Sequence, residues 1–122
     1  MIFPDLPMTV TIYHNPRCGT SRTVLASLRE RGIEPRIVEY LAAPLDRPLL
    51  ERLLSALGLE PRALMRRKEP IYGDLGLDDP AKSRDELVDA MLEHPILIER
   101  PIVTTEKGAV LCRPAARLGE VL

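Results

Sequence analysis

A chain of 122 residues, 45% hydrophobic and 29% charged, is large enough to bury one real core and needs no second domain. Its formal net charge of -1 gives no global attraction to nucleic acid or to a membrane surface, so any anion site must be local. Cys18 and Cys112 lie far apart, and with His14 and His94 they match neither a Cys-x-x-Cys pair nor a recognised metal spacing, which argues against a disulfide scaffold or a metal site and for a reduced, cytoplasmic protein.

Residues 1–7 lack the basic start and long apolar core of a signal peptide, and no run approaches membrane-spanning length. They read as a flexible extension ahead of a single domain over residues 8–122. Thr9 to Tyr13 alternate in character and stop at Asn15-Pro16, which predicts a first strand and a tight turn. A helix follows, with Thr20 or Ser21 as its cap, Val24, Leu25 and Leu28 as its apolar stripe and Gly32 as its stop. Glu34 to Tyr40 predict a second strand. A strand, helix and strand joined this closely form a right-handed parallel unit, whose ligand site lies where the first strand ends and the helix begins. Cys18 falls there.

From about residue 44 to 94 the pattern is wholly helical. Asp46 caps a helix carrying Leu49, Leu50, Leu53, Leu54 and Leu57, which ends at Gly58. Pro61 opens a shorter helix reaching Arg67, and Glu69-Pro70-Ile71-Tyr72-Gly73 breaks it. Ser83 and Glu86 form a capping box for a helix through Leu87, Val88, Met91 and Leu92, which must stop before Pro95. The runs Ile96–Thr105 and Ala109–Cys112, around Glu106-Lys107-Gly108, predict an antiparallel hairpin in which Pro101 can be cis. Pro114 opens a last short helix with Leu118, Val121 and Leu122. The sum is an α/β mixed sheet with a helical insertion between strand 2 and the C-terminal hairpin.

The chemistry concentrates at Cys18. A thiol at the first turn of a helix faces unpaired backbone N–H groups and the positive end of the helix dipole, both of which favour thiolate. The ordinary alternative is a small buried hydrophobe, but His14, Arg17, Arg22 and the small Gly19-Thr20-Ser21 argue against an apolar surrounding. The basic residues are 14 arginines against 3 lysines, a balance that suits bidentate recognition of carboxylates or tetrahedral oxyanions and that coding bias also explains.

The element order, with a cysteine opening helix 1 and a proline before the third strand, resembles the thioredoxin-like (glutaredoxin-like) plan. The stretches Tyr13 to Arg22, Arg62 to Arg66, His94 to Val103 and Leu111 to Pro114 resemble, in the same order, the glutaredoxin-linked arsenate reductases, the ArsC family. The resemblance spans about Met8 to Leu118. It implies that Cys18 attacks arsenate, that Arg66, Arg100 and Arg113 hold the oxyanion, and that His14, Ser21 and Arg22 complete the surroundings of the cysteine. It further implies glutathione as cosubstrate, glutaredoxin as partner, no tightly bound cofactor, no metal, and neither nucleic acid nor membrane as partner. Guanidinium forks and helix N–H groups are fitted donors for a tetrahedral anion, and His14, if protonated, adds to the charge that holds a thiolate. Ser21 stands where a dithiol protein places its resolving cysteine, so the reducing thiol has to come from outside. Cys112 reads as a buried structural thiol.

Three rivals share parts of this pattern. The arsenate reductases that resemble small tyrosine phosphatases need an arginine six residues after the cysteine, where this chain has Val24. A thiol transferase acting on glutathione mixed disulfides needs the fold and Cys18 but no arginine trio. A noncatalytic Spx-like regulator, which binds RNA polymerase, typically carries Cys-x-x-Cys at the turn, where this chain has Cys18-Gly19-Thr20-Ser21.

Overall fold

Alternation along the first strand decides which side of the sheet each helix covers. In the computed structural model, which describes residues 9–122, β1 (Thr11–Tyr13) pairs in parallel with β2 (Arg36–Val38), with Ile12 opposite Ile37. On its other side β1 is antiparallel to β3 (Ile102–Thr105), with Ile12 opposite Val103, and β3 turns into β4 (Gly108–Leu111). The order is β2-β1-β3-β4, the mixed sheet expected. The extension expected over residues 1–7 lies outside the described residues.

The helices are α1 (Gly19–Glu30), α2 (Arg47–Leu57), the short α3 (Pro70–Asp74) and α4 (Arg84–Glu93). Successive strand side chains point to opposite faces, so Val10 and Ile12 pack with Val24 and Leu28 of α1 and with Val103, Val110, Cys112 and Leu118. Tyr13 and Ile102 face the other way and pack with Leu50, Leu53 and Leu54 of α2 and Leu87, Val88 and Met91 of α4. Each fully buried aliphatic side chain of these layers stabilises the fold by roughly 1.5–3 kcal/mol. The insertion therefore covers one face of the sheet, and α1 covers the other.

The helix boundaries follow local chemistry. Asp46 accepts the Leu49 N–H at 2.9 Å, and Gly58 takes the left-handed conformation that ends α2. Ser83 and Glu86 close their capping box with bonds of 3.1 and 3.0 Å. Helix 1, however, begins before Thr20 and Ser21, with Cys18 itself as the N-cap. The Ser21 hydroxyl is occupied by His14 and by the Asn15 N–H, which removes it as a cap.

The connections depart further from the periodicity. Pro61–Leu64 is a single 3-10 turn that does not continue to Arg67, and Glu69–Gly73 is no break, since Pro70 opens α3. Pro95–Leu97 is likewise a 3-10 turn, so Ile96 to Ile98 stand outside the hairpin. That segment pairs instead with the end of the earlier turn: Met65 bridges Ile98, Arg66 N–H donates to the Leu97 carbonyl at 2.7 Å, and Glu99 N–H to the Leu64 carbonyl at 2.8 Å. β2 is also shorter than the run from Glu34 to Tyr40, being an edge strand with Arg36 and Ile37 exposed. The last segment, Ala115–Glu120, is a 3-10 helix with Pro114 as its cap, and the Arg100-Pro101 and Arg113-Pro114 bonds are both cis.

Candidate active site

The turn between β1 and α1 is held by its own side chains. Asn15, almost fully buried, accepts the Arg17 N–H on its side-chain oxygen and the Cys18 N–H on its carbonyl, both at 3.0 Å. This Asx turn aims Cys18 along the start of α1. No side-chain hydrogen bond closes the helix end, so the amides of Ser21 and Thr20 are left facing the sulfur. Burial pushes the Cys18 thiol up, yet those amides and the Arg100 guanidinium outweigh it and hold the thiol below its ordinary range. The rate of Cys18 alkylation, which follows the thiolate fraction, is therefore expected to reach half its maximum at a lower pH than that of an exposed cysteine in an unstructured peptide, and to fall as pH drops through that midpoint. Iodoacetamide kinetics across pH check this. Cys112 is fully buried and pushed up to about 11 by desolvation, so it stays unreactive while the chain is folded.

His14 and Ser21 form a buried pair, with His14 Nδ1 2.6 Å from Ser21 Oγ, and that same oxygen accepts the Asn15 N–H at 3.1 Å. Burial lowers the His14 pKa, so its ring is neutral at neutral pH and does not supply the positive charge expected of a protonated imidazole. The pair instead ties the end of β1 to the first turn of α1. Ser21→Ala leaves two buried polar groups without this partner and is expected to lower stability by roughly 1–3 kcal/mol, read from the urea midpoint.

Two arginines reach this turn from distant parts of the chain, and a third, Arg66, is tied to one of them through Glu99. Arg113 Nη1 lies 3.9 Å from Cys18 Sγ and donates to the Arg100 carbonyl at 3.2 Å. Arg100 lowers the thiol pKa by hydrogen bonding and by charge, while its Nε and Nη1 are buried without any partner. Arg66 donates from Nη1 to Glu99 at 2.6 Å and from Nε to Glu69 at 3.1 Å. The pairing of residues 64–66 with 97–99 is what brings Arg66 beside Glu99 and Arg100. A cavity of about 380 Å³ lined by Met65, Arg66, Arg67, Lys68, Glu99 and Arg113 opens at this cluster. Arg22 is directed elsewhere: it donates to the Pro16 carbonyl at 2.9 Å and lines a separate cleft of about 660 Å³ along α1 with Leu25, Ala26 and Arg29. The larger cleft contains none of the three arginines, whereas the smaller one is lined by two of them, Arg66 and Arg113. Among the described residues no three His, Cys, Asp or Glu side chains gather as a metal site, and no helix is long and apolar enough to cross a membrane.

The ArsC family model matches residues 13–121, from the end of β1 to the last 3-10 helix. The chain belongs to the ArsC family. An arsenate reductase of Rhizobium meliloti (strain 1021) is 54% identical over 94% of this chain and 82% of its own length. Among solved structures, an arsenate reductase from Vibrio cholerae is 47% identical and superposes with a TM-score of 0.92 over 95% of this chain and 99% of that one. An Escherichia coli (strain K12) relative described as the uncharacterized protein YfgD is 45% identical over 93% of this chain and 96% of its own length. ArsC membership and the thioredoxin-like fold thus rest on close relatives. These include members both with and without a named activity.

Sequence reasoning missed four residues of the site. Asn15 carried the signal of an Asx turn before proline. Glu69 lies three residues after Arg66, a spacing that suggests an ion pair wherever the backbone turns. Glu99 is separated from Arg66 by 33 residues and had no sequence signal. Tyr40, buried and pushed up to about 12 by desolvation, donates to the Ile98 carbonyl at 3.4 Å and so supports the segment carrying Glu99 and Arg100.

Proposed function

We propose that this ArsC-family chain reduces arsenate to arsenite, with glutathione as cosubstrate and glutaredoxin as electron-transfer partner, through a thiol-arsenate adduct on Cys18. The observation that carries the reading is Arg100, whose Nε and Nη1 are buried beside the Cys18 thiol with nothing to accept their protons. Buried donors without partners are costly, and an oxyanion delivered to the sulfur satisfies them. The arsenate reductase names of close relatives favour this anion among the tetrahedral ones.

In this reading Cys18 thiolate attacks As(V) and displaces one oxygen as water or hydroxide. Arg100 and Arg113 neutralise charge on the remaining oxygens, and Arg66 closes the clamp. Glutathione thiolate displaces a second oxygen. A glutaredoxin thiolate then attacks the glutathione sulfur, forming a mixed disulfide, while the electron pair of the sulfur–arsenic bond passes to arsenic and makes it As(III). Water cleaves the remaining sulfur–arsenic bond, returning Cys18 and releasing arsenite. Arsenite is neutral near pH 7, so the guanidinium groups that held the substrate do not retain the product. The cycle calls for no resident cofactor and fits a reducing, cytoplasmic setting.

The test compares substrates. Purified chain is given arsenate with glutathione and glutaredoxin, or a small glutathione mixed disulfide with glutathione alone. Arsenite formation faster than turnover of the mixed disulfide is expected; disulfide turnover without arsenite would overturn the reading in favour of a thiol transferase.

A further inference from the structure

Three guanidinium groups without counter-charge beside a thiolate make a strong trap for any anion, yet the site is not left that way. Glu99, with a side chain 23% exposed, spans two of them: Oε1 is 2.6 Å from Arg66 Nη1 and Oε2 is 3.8 Å from Arg113 Nε. Glu69 takes the remaining edge of Arg66 at 3.1 Å. The positive charges of Arg66, Arg100 and Arg113 are thus met by two carboxylates and the Cys18 thiolate before substrate arrives. Only Arg100 keeps buried donors free.

We infer that Glu99 is an internal competitor for the oxyanion site, a carboxylate bridging Arg66 and Arg113 that a tetrahedral dianion must displace to engage both. This rests on the three arginines acting as an oxyanion clamp. The bridge has the same kind of chemistry as the ligand, one carboxylate oxygen hydrogen-bonded to Arg66 and the other in a longer ion pair with Arg113. A tetrahedral dianion offers more oxygens and a second charge, so it replaces the carboxylate on both arginines and also reaches Arg100. A monoanion offers less than Glu99 already gives. Glu99 is therefore a specificity-determining residue that raises the concentration at which any anion enters, and monoanions pay most.

The alternative is an ordinary part-exposed ion pair that does no more than hold Arg66 in place. The two roles move anion affinity in opposite directions when the charge is removed and the shape kept. In Glu99→Gln, the sulfate concentration that half-protects Cys18 from iodoacetamide, at fixed ionic strength, is expected to fall about threefold to tenfold. The KM for arsenate falls by a similar factor. Thermal unfolding of both proteins establishes that the variant is folded. A half-protecting concentration that stays the same or rises overturns the inference, because it marks Glu99 as a support for Arg66. A wild type that is protected by sulfate but reduces no arsenate refutes the proposed activity and leaves the role of Glu99 decided by the protection assay. Sulfate that protects neither protein overturns the inference, and the arsenite measurement still decides the proposed activity.

Discussion

Cys18→Ser is expected to lower glutathione- and glutaredoxin-dependent arsenate reduction by about 10³-fold or more, to the level of the reaction without protein. The serine hydroxyl keeps the position at the N-cap of α1 but is not ionised there, so the amides of Thr20 and Ser21 and the Arg100 guanidinium have no nucleophile to stabilise. Cys112→Ser should retain at least about half of the activity, because that thiol is fully buried among Val10, Val103 and Val110 and held protonated by desolvation. Its cost falls on stability instead, by roughly 1–3 kcal/mol for a hydroxyl placed in an apolar layer. Arsenite yield and thermal midpoint, measured on both variants, separate the two effects. Equal loss of activity in both would contradict a single-nucleophile site.

Arg100→Ala is expected to lower kcat/KM for arsenate by about 10² to 10³-fold, the scale of losing one donor aimed at a reacting oxyanion. Arg100 lowers the Cys18 pKa, so the same variant should move the midpoint of Cys18 alkylation upward. The sign follows from the charge: without the guanidinium the thiolate loses a favourable neighbour, and a higher pH is needed to form it. Arg100→Lys is expected to restore part of the pKa shift and little of the turnover, because an ammonium keeps the charge without the planar fork. An alkylation midpoint unchanged in Arg100→Ala would show that the helix end alone activates the sulfur. Arg66→Ala should act more weakly, since Arg66 is already paired with Glu69 and Glu99.

Where periodicity and capping operate, the fold was legible. The β1-α1-β2 unit, the leucine stripe of α2 with its Asp46 and Gly58 ends, and the Ser83–Glu86 box all follow from short-range rules and stand as expected. What was not legible is the pairing of residues 64–66 with 97–99, because a 3-10 turn and a single bridge leave no repeating pattern in the chain. That pairing positions half of the site. Cys18 could be placed from its surroundings alone, as a thiol at a strand-to-helix junction. Arg66, between Met65 and Arg67-Lys68, carries no local signal, and only the family resemblance makes it a candidate. Ser21 was visible as a polar residue in the first turn, but its partner His14 precedes the turn and outcompetes the capping role. Glu99 escaped notice because an acidic residue beside an arginine is unremarkable until the fold brings a second arginine to it.

The most direct test of a single-thiol site that depends on an outside reductant is one arsenite measurement made in two stages. The chain is fully reduced, freed of small thiols and mixed with excess arsenate, and arsenite is quantified before and after glutathione and glutaredoxin are added. With Ser21 in place of a resolving thiol and Cys112 sealed in the core, no arsenite forms in the first stage and multiple turnovers follow in the second. One equivalent of arsenite from the thiol-free chain, or none after both thiols are added, would contradict the account.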